Sequence, residues 1–256
     1  MALELYKDDA HLCLLFQNLC TGEAIQANQV IILDHGCGAL LDPGGEMLYQ
    51  PLQQAISSYM ALENLEYVLA SHQDPDIISS LDKWLTQTSS KIVIPSVWER
   101  FIPHLTLSGR LTDRVISIPD QGLNLPFGET YLQALPAHFL HAEGNFSFYD
   151  KVSQILFSGD IGANFPRGSL HKTVTEFKDI LPWMEPFHRR YMGSNKACRF
   201  WVEMVRKLDV DKIVPQHGRY LEDPRTVEAF LNWFEELECG TDLVDRKLYS
   251  LPRMNA

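Results

Sequence analysis

The apolar positions of this chain fall into short runs broken by turn residues, and most runs have the length of a strand rather than of a helix. Leu3 to Tyr6 and His11 to Gln17 are extended pieces around the turn Lys7-Asp8-Asp9-Ala10, which predicts an opening hairpin. Asn28 to Leu33 and Ala39 to Leu41 predict two further strands around Asp34-His35-Gly36-Cys37-Gly38, the second closing on Asp42-Pro43-Gly44-Gly45. From Leu52 to Leu65 the apolar spacing turns helical, with Leu52, Ile56, Met60 and Leu62, and leads into the strand Tyr67 to Ala70. Ile77 to Leu85 predicts a helix, Lys91 to Pro95 a short buried strand, and Val97 to Leu107 an aromatic amphipathic segment carrying Trp98, Phe101 and Ile102.

Beyond residue 113 the pattern changes to consecutive strands. Arg114 to Pro119 and Glu129 to Pro136 are strand-like, joined by a turn region from Asp120 to Gly128. Phe148-Tyr149, Gln154 to Phe157 and Asp211 to Val214 continue the series. Thr175 to Leu208 predicts helices interrupted at Pro182, Pro186 and Gly193, and Pro224 to Leu237 a terminal helix with Asp223 as its N-cap. Strands alternating with helices, then strands in succession, predict one layered α/β domain over residues 1–256 with a helical C-terminal tail.

Composition narrows the function. The 256 residues carry 22 Lys and Arg against 33 Asp and Glu, a formal charge of -11 that repels polyanions and argues against nucleic acid as a partner. No secretory signal pattern and no apolar run near the ~20 residues of a membrane span is present, which predicts a cytoplasmic protein without membrane insertion. Five scattered cysteines without a CxxC pair suggest reduced thiols rather than a disulfide framework or a thiolate zinc site.

The candidate chemistry sits at strand exits. Ser71-His72-Gln73-Asp74-Pro75-Asp76-Ile77 places a histidine and two aspartates at alternate positions directly after a buried strand. Imidazole and carboxylate donors together suit iron, manganese or zinc, although a loop rich in Asp and His also serves as solvated turn chemistry. His138 and His141 lie three apart at another strand exit, one reading as a ligand and the other as support. Asp160 follows Ile155-Leu156-Phe157-Ser158-Gly159, where it is placed to bridge two metals, and His217 follows Ile213-Val214-Pro215-Gln216. Asp34 and His35 are accounted for by turn hydrogen bonds, His104 by packing or exposure, and His171 and His188 by structural roles or a place at the mouth of a site.

In their order and spacing, His72-x-Asp74-x-Asp76, His141, Asp160 and His217 resemble the metallo-β-lactamase fold, and more narrowly the di-iron domain of flavodiiron proteins. The resemblance covers Asn28 to Gly218 and implies a four-layer αββα sandwich. It implies two iron ions, with zinc or manganese as alternatives: His72, Asp74 and His141 on one, Asp76 and His217 on the other, Asp160 between. Three carboxylates then set -3 against +4, leaving a centre that attracts a reducible or anionic ligand. Two departures stand out. Asp74 replaces the family's glutamate, and Ile77 replaces its last histidine, which leaves the second metal with fewer protein donors and an apolar neighbour that could form a pocket for dioxygen or could simply pack.

Flavodiiron proteins usually continue into a flavodoxin-like domain that carries flavin; here no FMN is expected. The chain is therefore similar to the stand-alone oxygen-binding di-iron proteins. That resemblance implies a dioxygen binder and sensor, diferrous before and peroxo-diferric after binding, linked to a methyl-accepting chemotaxis receptor or to redox signalling. His138, Tyr149 and His188 are candidates to hydrogen-bond the bound gas, with support of a ligand from behind or packing as the alternative. A homodimer is implied only weakly, since flavin delivery is its usual reason. The rival functions are an oxygen or nitric oxide reductase served by a separate redox protein, and a di-zinc hydrolase, against which Asp74 argues.

Overall fold

The computed structural model describes residues 2–106, 113–166, 174 and 176–252. Leu107, His171 and Thr175, which the sequence reading touches, lie outside them. In chain order the strands of the first sheet are β1 (Leu3–Lys7), β2 (His11–Phe16), β3 (Gln29–Asp34), β4 (Cys37–Leu41), β5 (Leu65–Leu69), β6 (Lys91–Pro95) and β7 (Val115–Ile118). They lie side by side in sequence order, antiparallel from β1 to β4 and parallel from β4 to β7. The switch follows from connection length: a tight turn joins β3 to β4, while each parallel step needs a crossover. Those crossovers carry α1 (Tyr49–Ile56), α2 (Pro75–Ile78), α3 (Leu81–Gln87) and α4 (Ser96–Glu99).

The second sheet contains β8 (Leu123–Phe127), β9 (Thr130–Pro136), β10 (Phe146–Asp150), β11 (Ile155–Phe157) and β12 (Lys212–Val214), in the order β12-β11-β10-β9-β8. Its outer face is covered by α5 (Phe177–Tyr191), α6 (Asn195–Val205) and α7 (Pro224–Glu235). The layers are therefore helix, sheet, sheet, helix. Alternation along single strands sorts the side chains among the interfaces. Val30 and Ile32 of β3 enter the core between the sheets, whereas Ile31 faces α1 and α3. Ala39, Leu41, Tyr67 and Leu69 join the central layer, and Leu40 and Val68 the helical one. From the other sheet Leu132, Phe146, Phe148 and Phe157 meet them. Each large apolar side chain so buried stabilises the fold by about 1.5–3 kcal/mol, so this middle layer, far more than any polar contact, holds the sheets together.

Several elements differ from the sequence expectation. The helix at Leu52 stops at Ile56 rather than reaching Leu65, and Gly38 shifts the β4–β5 register beside the following turn. The helix expected over Ile77 to Leu85 is two short ones, because Ser80 leaves helical bonding to donate its hydroxyl to the Gly44 carbonyl at 2.8 Å. The turn region Asp120 to Gly128 contains β8, an edge strand that tolerates Pro126 because one of its sides pairs with nothing. The amphipathic segment after Ser96 is the single turn α4 and a 3-10 turn at Ile102–His104. Pro182 and Pro186 do not interrupt α5. Spaced four apart, both are exposed, so the carbonyls left without an N–H face water while Ile180, Met184 and His188 form the buried side.

α7 begins as expected, with Pro224 at its first position and the Asp223 side chain accepting from the backbone N–H of Arg225 and Thr226. It ends at Glu235, and Gly240–Leu243 and Arg246–Tyr249 are 3-10 turns. Among the described residues no helix is long and apolar enough to cross a membrane.

Candidate metal centre

All six ligand candidates come together at one edge of the sandwich, half from each sheet. β5 ends at Leu69, and His72, Asp74 and Asp76 follow on the loop that opens α2. From the second sheet, His141 follows β9, Asp160 follows β11 and His217 follows β12. These three strands run in the same direction, so their C-terminal ends share one edge.

Donor spacings are those of groups that share a cation. His141 Nε2 lies 3.0 Å from Asp74 Oδ2 and 3.5 Å from Asp160 Oδ2. His72 Nε2 lies 3.7 Å from Asp74 Oδ2. On the other side His217 Nε2 lies 3.3 Å from Asp76 Oδ2 and 3.5 Å from Asp160 Oδ1. Two donors each about 2.1 Å from one ion and roughly at right or tetrahedral angles are about 3.0–3.4 Å apart; the spacings here start in that range and extend to 3.7 Å. Asp160 presents one oxygen to each half. His72 Nε2 is buried and has no hydrogen-bond partner among the described residues, a costly state for a nitrogen unless a ligand fills it.

Ring orientation is set from behind. His217 Nδ1 donates to the Gln26 carbonyl at 2.8 Å, turning Nε2 inward. His72 Nδ1 lies 3.0 Å from Ser71 Oγ, whose hydroxyl donates to Asp42 Oδ2 at 3.1 Å; the Ser71 N–H donates to Asp42 Oδ1 at 2.8 Å. His141 sits at φ +76°, a left-handed conformation unusual for a histidine. Its loop is pinned at both ends, by Ala137 N–H to the Asn145 carbonyl, Asn145 Nδ2 to the Leu140 carbonyl and Gly193 N–H to the Phe139 carbonyl.

Electrostatics express the crowding of charge. Burial pushes the Asp42 carboxyl up to about 6, against the opposing hydrogen bonds from Ser71. The hydrogen bond from His141, with the His72 imidazole beside it, holds Asp74 well below the usual carboxylate range. Burial pulls His217 down, yet Asp76 and Asp160 outweigh it and push the imidazole up to about 9. Three imidazoles compete for three carboxylates, an arrangement that two divalent cations would satisfy more fully than protons do.

The cluster forms the floor of a cleft of about 530 Å³. Phe165, Phe187 and Tyr191 wall it, with Phe187 and Tyr191 stacked at 4.7 Å and Tyr191 5.5 Å from His141; Ile25 and Met47 stand at the mouth. Ile77 does not line it. That side chain is 0% exposed and belongs to the core beneath α2, so it packs rather than borders an open coordination position.

The three side chains expected to meet a bound gas are engaged elsewhere. His138 Nε2 donates to the Asp120 carbonyl at 2.8 Å and lines a separate groove with Phe139 and Phe200. Tyr149 donates its hydroxyl to the Asp209 carbonyl at 2.7 Å. His188 is fully buried, accepts from the Gly162 N–H and donates to the Met184 carbonyl; burial brings it down to about 4. The sequence reading missed Asp42, Ser71 and the Gln26 carbonyl as supports, and the aromatic wall. Asp42 was visible only as part of a turn motif, and the aromatics only as helix packing.

Residues 25–218 match the family described as ODP family beta lactamase. The chain belongs to that family. The ODP beta-lactamase fold is seen in two solved structures that cover nearly all of the chain. One, the peroxy diiron species of the chemotaxis sensor ODP, is 40% identical, covers 94% of this chain and 97% of its own, and has a TM-score of 0.84. The other, the apo state of the chemotaxis sensor ODP from T. denticola, is 39% identical over 95% and 97%, with a TM-score of 0.85. The fold is also shared with the rubredoxin oxygen:oxidoreductase of Desulfovibrio gigas, 13% identical with a TM-score of 0.76, covering 91% of this chain and 61% of that one. An uncharacterized protein of Methanocaldococcus jannaschii is 24% identical over 199 residues; the chain spans about half the length of this curated relative. The metallo-β-lactamase-like αββα architecture that the resemblance implies is thus the observed one.

Proposed function

We propose that this chain is a di-iron protein that binds dioxygen and serves as its sensor in bacterial chemotaxis or redox signalling. His72, Asp74 and His141 would hold one iron, Asp76 and His217 the other, and Asp160 would join them. The convergence of these six side chains from two sheets carries the reading. It is supported by 40% identity to a chemotaxis sensor whose peroxy diiron species is known.

Held by these residues, two ferrous ions would supply electrons to dioxygen. The protein's part is to hold and shelter. Gln26 and Ser71 fix the tautomer and direction of His217 and His72, so that each offers Nε2. Phe165, Phe187 and Tyr191 keep the cleft apolar, which favours a small uncharged gas over anions and bulk water. Asp42 keeps the Ser71 hydroxyl oriented behind His72.

In this reading the chain is one metallo-β-lactamase-like domain with a helical tail, works in the cytoplasm, and passes its state to a methyl-accepting chemotaxis receptor or a separate redox protein, alone or as a homodimer. The test is competitive loading with ferrous, manganous and zinc ions without air, followed by dioxygen under optical and Mössbauer spectroscopy. Two irons per chain and an oxygenated spectrum that persists are expected. Sustained NADH-linked oxygen or nitric oxide consumption with added redox partners would instead make it a reductase, and zinc filling with ester turnover a hydrolase.

A further inference from the structure

Cys198, in the first turn of α6, and Cys239, just beyond α7, are 41 residues apart in sequence, yet their Sγ atoms are 3.7 Å apart. Both are 0% exposed, set in the apolar layer with Leu140, Met192 and Leu237. Two thiols in contact in a dry interior are held there by packing, and closing to a bond of about 2.05 Å shortens their separation by less than about 2 Å. Either thiol can donate its S–H to the other across this contact. Either sulfur can therefore act as the nucleophile, with the other as the resolving partner.

The geometry points to Cys198 and Cys239 as a redox-modification site that hydrogen peroxide converts to a disulfide. One of the two sulfurs attacks one peroxide oxygen, the O–O bond breaks, and the leaving hydroxide departs as water with the thiol proton. The sulfenic acid so formed is attacked by the other sulfur; its S–O bond breaks, and a second water leaves with that thiol's proton as the S–S bond forms. Two thiols and one hydrogen peroxide give one disulfide and two waters, the sulfurs losing the two electrons that the peroxide gains.

The position of the pair gives the modification a route to the His141 loop. Thr241, two residues after Cys239, donates its N–H to the Gly193 carbonyl at 2.9 Å, and Gly193 in turn donates to the Phe139 carbonyl at 2.7 Å, two residues before His141. Gly240 passes so close to Met192 and Gly193 that a Cβ would strike their carbonyls. A bond that draws Cys239 toward α6 tightens this stack; its meaning for the cluster rests on the proposed function, whereas the disulfide itself does not.

The experiment treats the reduced full-length protein with one equivalent of hydrogen peroxide without air, both as purified and after chelation of metal. A mass loss of two hydrogens, a cross-linked peptide pair containing Cys198 and Cys239, and reversal by dithiothreitol are expected in both samples. Mass gains of whole oxygen atoms without that peptide pair, or full alkylation of both residues on unfolding, overturn the site. Amide exchange over residues 137–145 should slow in the cross-linked form; equal rates in the two forms overturn the coupling to the His141 loop. Cys239→Ser should abolish the cross-link and Cys37→Ser leave it intact.

Discussion

His11 Nε2 lies 2.8 Å from Asp150 Oδ2, joining the two sheets at the end of the sandwich opposite the ligand cluster. The same ring reaches Asp34 Oδ1 through Nδ1 at 2.9 Å, so one buried imidazole faces two buried carboxylates, and Cys13 donates its thiol to Asp150. Removing the imidazole leaves the carboxylates buried without their partner. His11→Ala should therefore cost about 3–5 kcal/mol, measured as the shift in urea unfolding.

The pH dependence of that cluster has a defined sign. Burial pulls His11 down, but hydrogen bonds and charge from Asp150 and Asp34 leave it raised overall. Its contribution is complete below the ordinary imidazole value of about 6.5 and fades as pH rises through the raised value. Asp150 and Asp34 are desolvated yet lowered by His11, so theirs is complete above about 3.9 and fades as pH falls through the lowered values. Unfolding midpoints across a pH series should show an alkaline decline that His11→Ala lacks; parallel curves would remove the cluster from the account.

Metal content should divide by half-site. His141→Ala and His217→Ala should each lower bound iron toward one per chain, while Asp160→Asn should weaken both sites because its oxygens face His141 and His217 alike. Elemental analysis after anaerobic loading checks this, and an unchanged stoichiometry in Asp160→Asn would contradict the bridging position.

Ser71→Ala removes the group behind His72 Nδ1 without touching a donor. Iron affinity should fall about 10–100-fold, and the metal-free chain should lose about 1–3 kcal/mol of stability as Asp42 and His72 lose a buried partner. Titration with ferrous ion and a competing chelator measures the affinity.

Gly218 stands at φ +87°, immediately after His217, and a Cβ there would strike Asn164. Its carbonyl accepts from Asn28 Nδ2 at 3.0 Å. Gly218→Ala should cost about 1–3 kcal/mol and also lower metal content, whereas Asp223→Ala, which removes only the α7 cap, should cost about 0.5–2 kcal/mol and leave metal content intact.

What the sequence revealed and what it hid have physical causes. The strands from β2 to β6 were legible because their residues are buried on both faces and read as continuous apolar runs between Gly, Pro and Asp turns. His72, Asp160 and His217 were legible because each comes three residues after a short buried strand, ending at Leu69, Phe157 and Val214, and Asp74, Asp76 and His141 were legible by their order and spacing with them. β8 was not, since Leu123–Phe127 is short, only partly buried and contains a proline that only an edge position tolerates. α5 was cut too early because a proline's cost depends on which way the freed carbonyl points, and that is decided by the fold. The His11 cluster was invisible for another reason: its partners lie 23 and 139 residues away, and a lone histidine in a strand carries no local mark of either.

The donor set has its feet on two separate layers, three side chains on each. A slip of one sheet along the other, by even a fraction of an ångström, would spread or crowd all six at once. The stiffness of the oily filling between the layers is therefore part of what tunes the centre, and a conservative change at Phe148 or Leu69, far from any nitrogen or oxygen, would be felt there as a change of grip.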